Sequence, residues 1–246
     1  MKRFSRTVIL SLVLLALTTS LLALASGCGT TPAPTSGVHK VEIIDFQKIV
    51  NARSLGGWTL SDGTEIPYGR VFRSGMLAQA SNADLAQLRK LGIRTSIDLR
   101  SPAEVTKYGK DLVGPQALSH VTSAPLVGSS ITATSYSDVV KNQKPSIAIA
   151  FRALAQGSTY PVDIHCVGGK DRTGIVTALL FDLLGVPQQQ IVEDYLLSAS
   201  SAEVQTDWID AALNEVTAEG GINKYLAGIG IDQTMQNAIK KQILGH

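Results

Sequence analysis

Val162-Asp-Ile-His-Cys-Val-Gly-Gly-Lys-Asp-Arg-Thr-Gly174 is the stretch from which the fold can be read. Pro161 to His165 reads as a short strand, which ends at Cys166. From Thr173 to Leu184 the chain is almost wholly apolar and then meets Gly185, too long for a strand and bounded like a helix. A strand, a glycine-containing loop and a buried helix in immediate succession make a βα unit. A helix so apolar must pack against a sheet, so the expected class is α/β with a central sheet.

The loop between them carries its own chemistry. Gly168 and Gly169 let backbone N–H groups turn inward without side-chain clash. The helix start adds unpaired N–H donors and the positive end of its dipole. Together they form a cradle for a phosphate, and Arg172 supplies a planar fork able to grip two of its oxygens. The same cradle acts on Cys166. A thiol among N–H donors and beside an arginine is expected to fall from ~8.5 into the ~3.5–7.5 range, leaving a thiolate able to attack phosphorus. Thr173 either donates to that thiolate or caps the helix, and the two roles are compatible. The bland alternatives are a buried core cysteine and an arginine in a structural ion pair. Gly169-Lys170 is not a nucleotide-binding loop, because Asp171 stands where Ser or Thr would hold magnesium.

Outward from this unit, strand-like and helix-like segments alternate. Gly69 to Ser74 and Arg94 to Leu99 read as strands. Ser81 is placed to cap a helix with Leu85, Leu88 and Leu91 on one face and Gly92 as its stop. Ser101-Pro-Ala-Glu104 is a capping box with Pro at the first helical position, and Ser200 to Glu203 repeats the pattern before a helix to about Glu219. Ser146 to Gln156, Pro187 to Leu197 and a segment opened by Asp232 complete the helices, with no repeat or second linker to divide residues 41–246.

The four histidines have no metal-ligand spacing, and a formal net charge of +2 is far from the basic footprint of a nucleic-acid binder. Much of that charge belongs to the N-terminus. Lys2, Arg3 and Arg6 precede an uncharged run of 18 residues, Val8 to Ala25, and then Ser26-Gly27-Cys28. This is the layout of a secretory signal. Small residues before a single cysteine resemble a bacterial lipobox, which implies residues 1–27 as signal peptide, Cys28 as the lipidation site and residues 28–40 as a Pro/Thr/Gly tether. An uncleaved anchor and an ordinary signal cut near Ala25 are the alternatives. Removing the three leading cations leaves 19 basic against 20 acidic residues. The expected location is the bacterial cell envelope, on the outer side of a membrane. The two cysteines then have separate duties and are not a disulfide pair.

His165-Cys166, five residues, then Arg172-Thr173-Gly174 resembles the H-C-x5-R-[ST]-G signature of cysteine phosphatases. HCVGGKDRTG in full is similar to the bacterial branch of protein tyrosine phosphatases that also accept phosphoinositides. Weaker likenesses follow in the same order: Asn51-Ala-Arg-Ser-Leu-Gly-Gly57, Arg70-Val-Phe-Arg-Ser74, Ile97-Asp-Leu-Arg-Ser101 and Glu193-Asp-Tyr-Leu-Leu-Ser198. The resemblance runs from about Val41 to the C-terminus and implies a central, mostly parallel sheet flanked by helices.

It further implies roles. Cys166 is the nucleophile, Arg172 binds the equatorial phosphoryl oxygens, and Val167, Gly168, Gly169, Lys170 and Thr173 line the phosphate. His165 orients the loop. No separate W-P-D loop is visible, so the general acid is Asp171 inside the loop, with Asp98 as the other candidate. Lys170 either marks acceptance of phosphoinositides or is a solvated lysine. Arg53, Arg73 and Arg100 are substrate contacts or ion-pair residues, and the Trp208 helix is packing or pocket wall. No metal or cofactor is required. The expected substrate is protein phosphotyrosine, with a phosphoinositide second. A silent phosphate-binding module and a sulfurtransferase are the rivals from other classes.

Overall fold

The structure, a computed structural model, describes residues 40–115, 117–127, 133–200 and 203–245. The expected signal peptide, Cys28 and the tether up to residue 39 lie outside the described residues.

One sheet is built from β1 (Arg53–Ser54), β2 (Val71–Ser74), β3 (Thr95–Asp98), β4 (His120–Ser123) and β5 (Val162–His165), in the order β1-β2-β5-β3-β4. β1 is antiparallel to β2, and every other pair is parallel. The chain lays down β2 and β3 with a gap between them, and β5 fills it. Ser74, His165 and Asp98 stand level in register at the carboxyl ends of these three strands. The next residue along β5 is Cys166. Ligands of open α/β sheets bind at such carboxyl ends, where neighbouring strands are laid down out of order.

The helices are α1 (Asn82–Lys90), α2 (Pro102–Tyr108), α3 (Ala133–Asn142), α4 (Lys144–Leu154), α5 (Asp171–Leu184), α6 (Gln188–Leu196), α7 (Thr206–Ala218), α8 (Ile222–Gly228) and α9 (Gln233–Leu244). They cover both faces of the sheet. Along β2, Val71 joins the large apolar cluster with α4, α5 and α7, while Phe72 joins a smaller one with Leu88 of α1 and Ile93. Successive strand residues point to opposite faces, so these are two layers. α5 is buried nearly all round, as its sequence demands. Among the described residues no helix is long and apolar enough to cross a membrane.

The caps locate the ends. Ser81 and Asp84 form a capping box on α1, Ser101 and Glu104 form one on α2, and Asp232 accepts the Met235 N–H at the start of α9. Three points differ from the sequence expectations. α5 begins at Asp171 rather than near Thr173, which brings its first-turn N–H groups into the signature loop. The box expected over Ser200–Glu203 does not start a helix: Ser200 donates its hydroxyl to the Leu197 carbonyl, and α7 begins only at Thr206. α3 and β4 carried no clear signal. α3 is rich in Ser, Thr and β-branched residues, weak helix formers held here by burial of Tyr136, Val139 and Val140. β4 is a half-exposed edge strand without an apolar face.

Candidate active site

Cys166 leaves the end of β5 and is 2% exposed. The loop after it is held from outside by its carbonyls. Asn51 Nδ2 donates to Gly169 O at 2.9 Å and Gly168 O at 3.3 Å, and Arg73 Nη2 donates to Gly169 O at 2.8 Å. Met76 N–H donates to Val167 O at 3.0 Å. With the carbonyls drawn outward, the amides face inward, and those of Gly169 and Thr173 are among the groups that lower the Cys166 thiol. Gly169 is required for this turn. Its φ is +68°, and a Cβ there would lie 2.4 Å from the Ser74 carbonyl oxygen. α5 starts directly behind, with no side chain capping its N-terminus. A loop of inward amides on a free helix N-terminus is an anion site.

Burial pushes the Cys166 thiol up. The Arg172 guanidinium, the Thr173 hydroxyl and the Thr173 and Gly169 amides outweigh it, so the thiol lies below its ordinary value. The Thr173 hydroxyl is buried beside the sulfur, forms no hydrogen bond and does not cap α5, which leaves it available to the thiol or to a bound anion. Arg172 is aimed by Glu104: Nη1 donates to Oε2 at 2.5 Å and Nη2 to Oε1 at 2.9 Å. This bidentate pair, with some opposing burial and help from the Ser101 amide, holds the Glu104 carboxyl down at about 2. Glu104 thus both caps α2 and orients the cradle arginine. The capping box was legible in sequence, but the second duty was not.

His165 is fully buried. Its Nε2 lies 2.7 Å from Asp111 Oδ2, and its Nδ1 lies 3.3 Å from the Cys166 carbonyl oxygen. Burial opposes its charge, but the bond to Asp111 and the fields of Asp98 and Asp163 raise it to about 9. An orienting role suits this geometry. Asp98 is the counterpart of Arg100, accepting from its backbone N–H, Nε and Nη2 at 2.7–2.9 Å. Arg100 Nη2 also donates to Asp111 at 2.8 Å. Asp98, Asp111 and His165 bring ligand atoms within 4.8 Å of one another, but the two carboxylates are already matched by Arg100 and the raised histidine. The group is an ion-pair network.

The three arginines are therefore ion-pair residues and not substrate contacts. Arg53 and Arg73, cross-strand neighbours on β1 and β2, share Asp194 of α6 at 2.8 and 2.5 Å. All three are at most 1% exposed and bonded to the scaffold, with Arg73 Nε left without a partner. Lys170 is not a solvated lysine. It is 4% exposed, its Nζ donates to the Glu203 carbonyl at 2.7 Å, and it sits 5.4 Å from the Trp208 ring centroid. Asp171 is at the mouth, partly exposed, with Oδ1 bound by the Tyr136 hydroxyl at 2.6 Å. Sequence reasoning missed Asn51, Glu104, Asp111 and Tyr136 as parts of the site. Asn51 and Glu104 stood inside quoted motifs, whereas Asp111 and Tyr136 are recruited by tertiary folding alone.

A model of the tyrosine phosphatase family matches residues 44–245. A Cupriavidus necator protein provisionally named a tyrosine-protein phosphatase is 34% identical over 172 residues, 62% of each chain. The tyrosine-protein phosphatase of Nostoc commune is 30% identical over 187 residues, 67% of this chain and 63% of its own. The triple specificity protein phosphatase PtpB of Mycobacterium tuberculosis is 31% identical over 188 residues, 59% of this chain and 68% of its own. The chain thus spans 62% and 63% of the length of the first two. Among solved structures, TpbA of P. aeruginosa is 15% identical with a TM-score of 0.41, over 79% of this chain and 99% of that one. At that score the likeness adds nothing to the topology described above.

Proposed function

Because the chain belongs to the tyrosine phosphatase family, we propose that it hydrolyses phosphomonoesters through a phosphocysteine, with protein phosphotyrosine as substrate. The observation that carries the reading is Cys166 at the start of a loop of inward amides beside Arg172, which draws the buried thiol below its ordinary value. Arg172 and the inward N–H groups bind the phosphoryl oxygens and offset their charge as the transition state forms. The thiolate attacks phosphorus in line, the bond from phosphorus to the ester oxygen breaks, and that oxygen takes a proton from Asp171. Water then attacks the phosphocysteine and gives a proton to Asp171. The thiolate leaves, and inorganic phosphate is released. No cofactor enters this scheme.

The lipid alternative rests on Lys170 meeting a second phosphate. Its Nζ is committed to the Glu203 carbonyl and stands 3.3 Å from Asp171 Oδ1, which favours phosphotyrosine. Phosphoserine and phosphoinositide are the other arms of the test. The full chain in detergent should release phosphate from an aryl phosphate with EDTA present, and Cys166→Ser should release none. Equal release by Cys166→Ser, or none by the wild type, would sink the proposal. It would leave the silent binding module or the sulfurtransferase.

The N-terminal sequence supports a second proposal, an extracytoplasmic domain tethered by lipid on Cys28. Cys28→Ala should accumulate unprocessed or soluble protein in cell fractions. Full processing with membrane retention in that variant would refute lipidation there.

A further inference from the structure

Tyr136 lies on α3, outside every motif quoted above, and is 2% exposed. Its hydroxyl is 2.6 Å from Asp171 Oδ1 and 2.7 Å from the Tyr195 hydroxyl. Lys170 Nζ is 3.3 Å from the same Oδ1. Among the described residues Asp171 Oδ2 has no hydrogen-bond partner, so the two carboxyl oxygens are not equivalent. One is committed to the protein and the other is free, on a side chain that is partly exposed.

The proton positions follow from counting. Each phenol has one proton to give. Tyr195 is 1% exposed, and among the described residues its hydroxyl has Tyr136 alone as partner. If the chain runs from Tyr195 to Tyr136 to Asp171, every buried proton has an acceptor. If it runs the other way, the Tyr195 proton is buried without one, which is costly. The first direction wins, so Oδ1 accepts, and the carboxyl proton, when present, resides on Oδ2. Burial and the nearby Asp171 charge also raise the Tyr136 phenol far above its ordinary value, so it remains a donor at any working pH.

The ring geometry fixes the pair. Tyr136 and Tyr195 meet edge to face at 5.9 Å, and Trp208 lies 6.1 Å from Tyr136 on its other contact. Tyr195 in turn lies so close to α5 that a Cβ on Gly174 would come within 2.9 Å of its Cδ2. The glycine that closes the signature thus leaves room for the tyrosine behind the acid.

We propose that Tyr136, backed by Tyr195, is a positioning residue that confines the transferable proton of Asp171 to Oδ2. The inference rests on Asp171 being the general acid. In the first step the Oδ2 proton passes to the leaving oxygen, and the new carboxylate keeps its Tyr136 and Lys170 partners at Oδ1. In the second step Oδ2 takes a proton back from the attacking water.

The test compares a leaving group that needs a proton with one that does not. In the full chain, Tyr136→Phe should lower kcat/KM for phenyl phosphate roughly 10-fold, the worth of one charge-assisted hydrogen bond. For para-nitrophenyl phosphate it should change by less than about 2-fold, since that leaving group departs without an acid. Inhibition by tungstate should be unchanged, which reports an intact cradle. Asp171→Asn should show the same selectivity more strongly, and adding Tyr136→Phe to it should cost nothing more. Tyr195→Phe should show it more weakly, and serves as the second probe if Tyr136→Phe folds poorly. Equal losses on both substrates, or none on phenyl phosphate, while Asp171→Asn stays selective, would overturn the role of Tyr136 alone. An unselective Asp171→Asn would overturn the assignment of Asp171 and this inference with it.

Discussion

Arg172 and Glu104 illustrate how a residue gains its role from its partner. A guanidinium beside a thiolate could collapse onto the sulfur or swing to solvent. The two bonds to Glu104 leave it one orientation, with its remaining donors available for phosphate. Glu104→Gln keeps the shape and the cap of α2 but removes the charge and one arm of the fork. It should reduce kcat/KM by roughly 10–100-fold, as expected when a transition-state group is misplaced by a fraction of an ångström to one ångström. The melting temperature should change little. An activity within about 2-fold of wild type would mean that the cradle itself orients Arg172. Cys166, Arg172 and Asp171 were legible because the signature packs them into seven residues. Glu104 lies 68 positions away, and only the packing of α2 on the loop brings it there.

Among the elements, β1, β2 and α6 are joined through one buried carboxylate. Asp194 faces Arg53 and Arg73 together, with all three side chains at most 2% exposed. Removing it leaves two buried guanidinium groups unpaired, so Asp194→Ala should cost about 3–5 kcal/mol in urea denaturation. A loss under about 1 kcal/mol would show that water replaces the carboxylate. The ends of β3 and β5 are joined by the His165–Asp111–Arg100–Asp98 network, which has a pH signature. His165 is raised from ~6.5 to about 9, so its contribution is whole below ~6.5 and lost as pH rises through about 9. Asp111 is depressed, so its share is lost only on acidification below the ordinary carboxylate range. The lowered Cys166 thiol works in the opposite direction, since it adds stability as pH rises. In a Cys166→Ser background the melting temperature should fall between about pH 6.5 and about pH 9.5, and Asp111→Asn should flatten that fall. An unchanged slope in Asp111→Asn would mean that His165 is not held charged by Asp111. β2, β3, β5 and α5 were readable in advance from their apolar patterns, whereas the two-residue β1 and the half-exposed edge strand β4 were not. α3 and the late start of α7 were not, because tertiary contacts there override weak local preferences.

For the molecule as a whole, the sheet order converts a local motif into a site. The βα unit alone predicts a cradle, but not which strands flank it. With β5 between β2 and β3, Ser74 and Asp98 stand on either side of His165, and the ion pairs of both neighbours brace the loop. Of the two roles open to Arg53, Arg73 and Arg100 from sequence, the fold uses them in ion pairs that do this bracing. Sequence marks them as charged and grouped, but burial is a property of the assembled fold. The loop so braced carries the one cysteine among the described residues, free and buried. The account stands on that sulfur becoming covalently phosphorylated. Rapid mixing of the full chain with an aryl phosphate, an acid quench and peptide mass spectrometry tests this directly. A phosphoryl adduct on Cys166 that forms and decays at the rate of turnover is the predicted result. Steady phosphate release with no adduct on Cys166, or with an adduct on another residue, would contradict it.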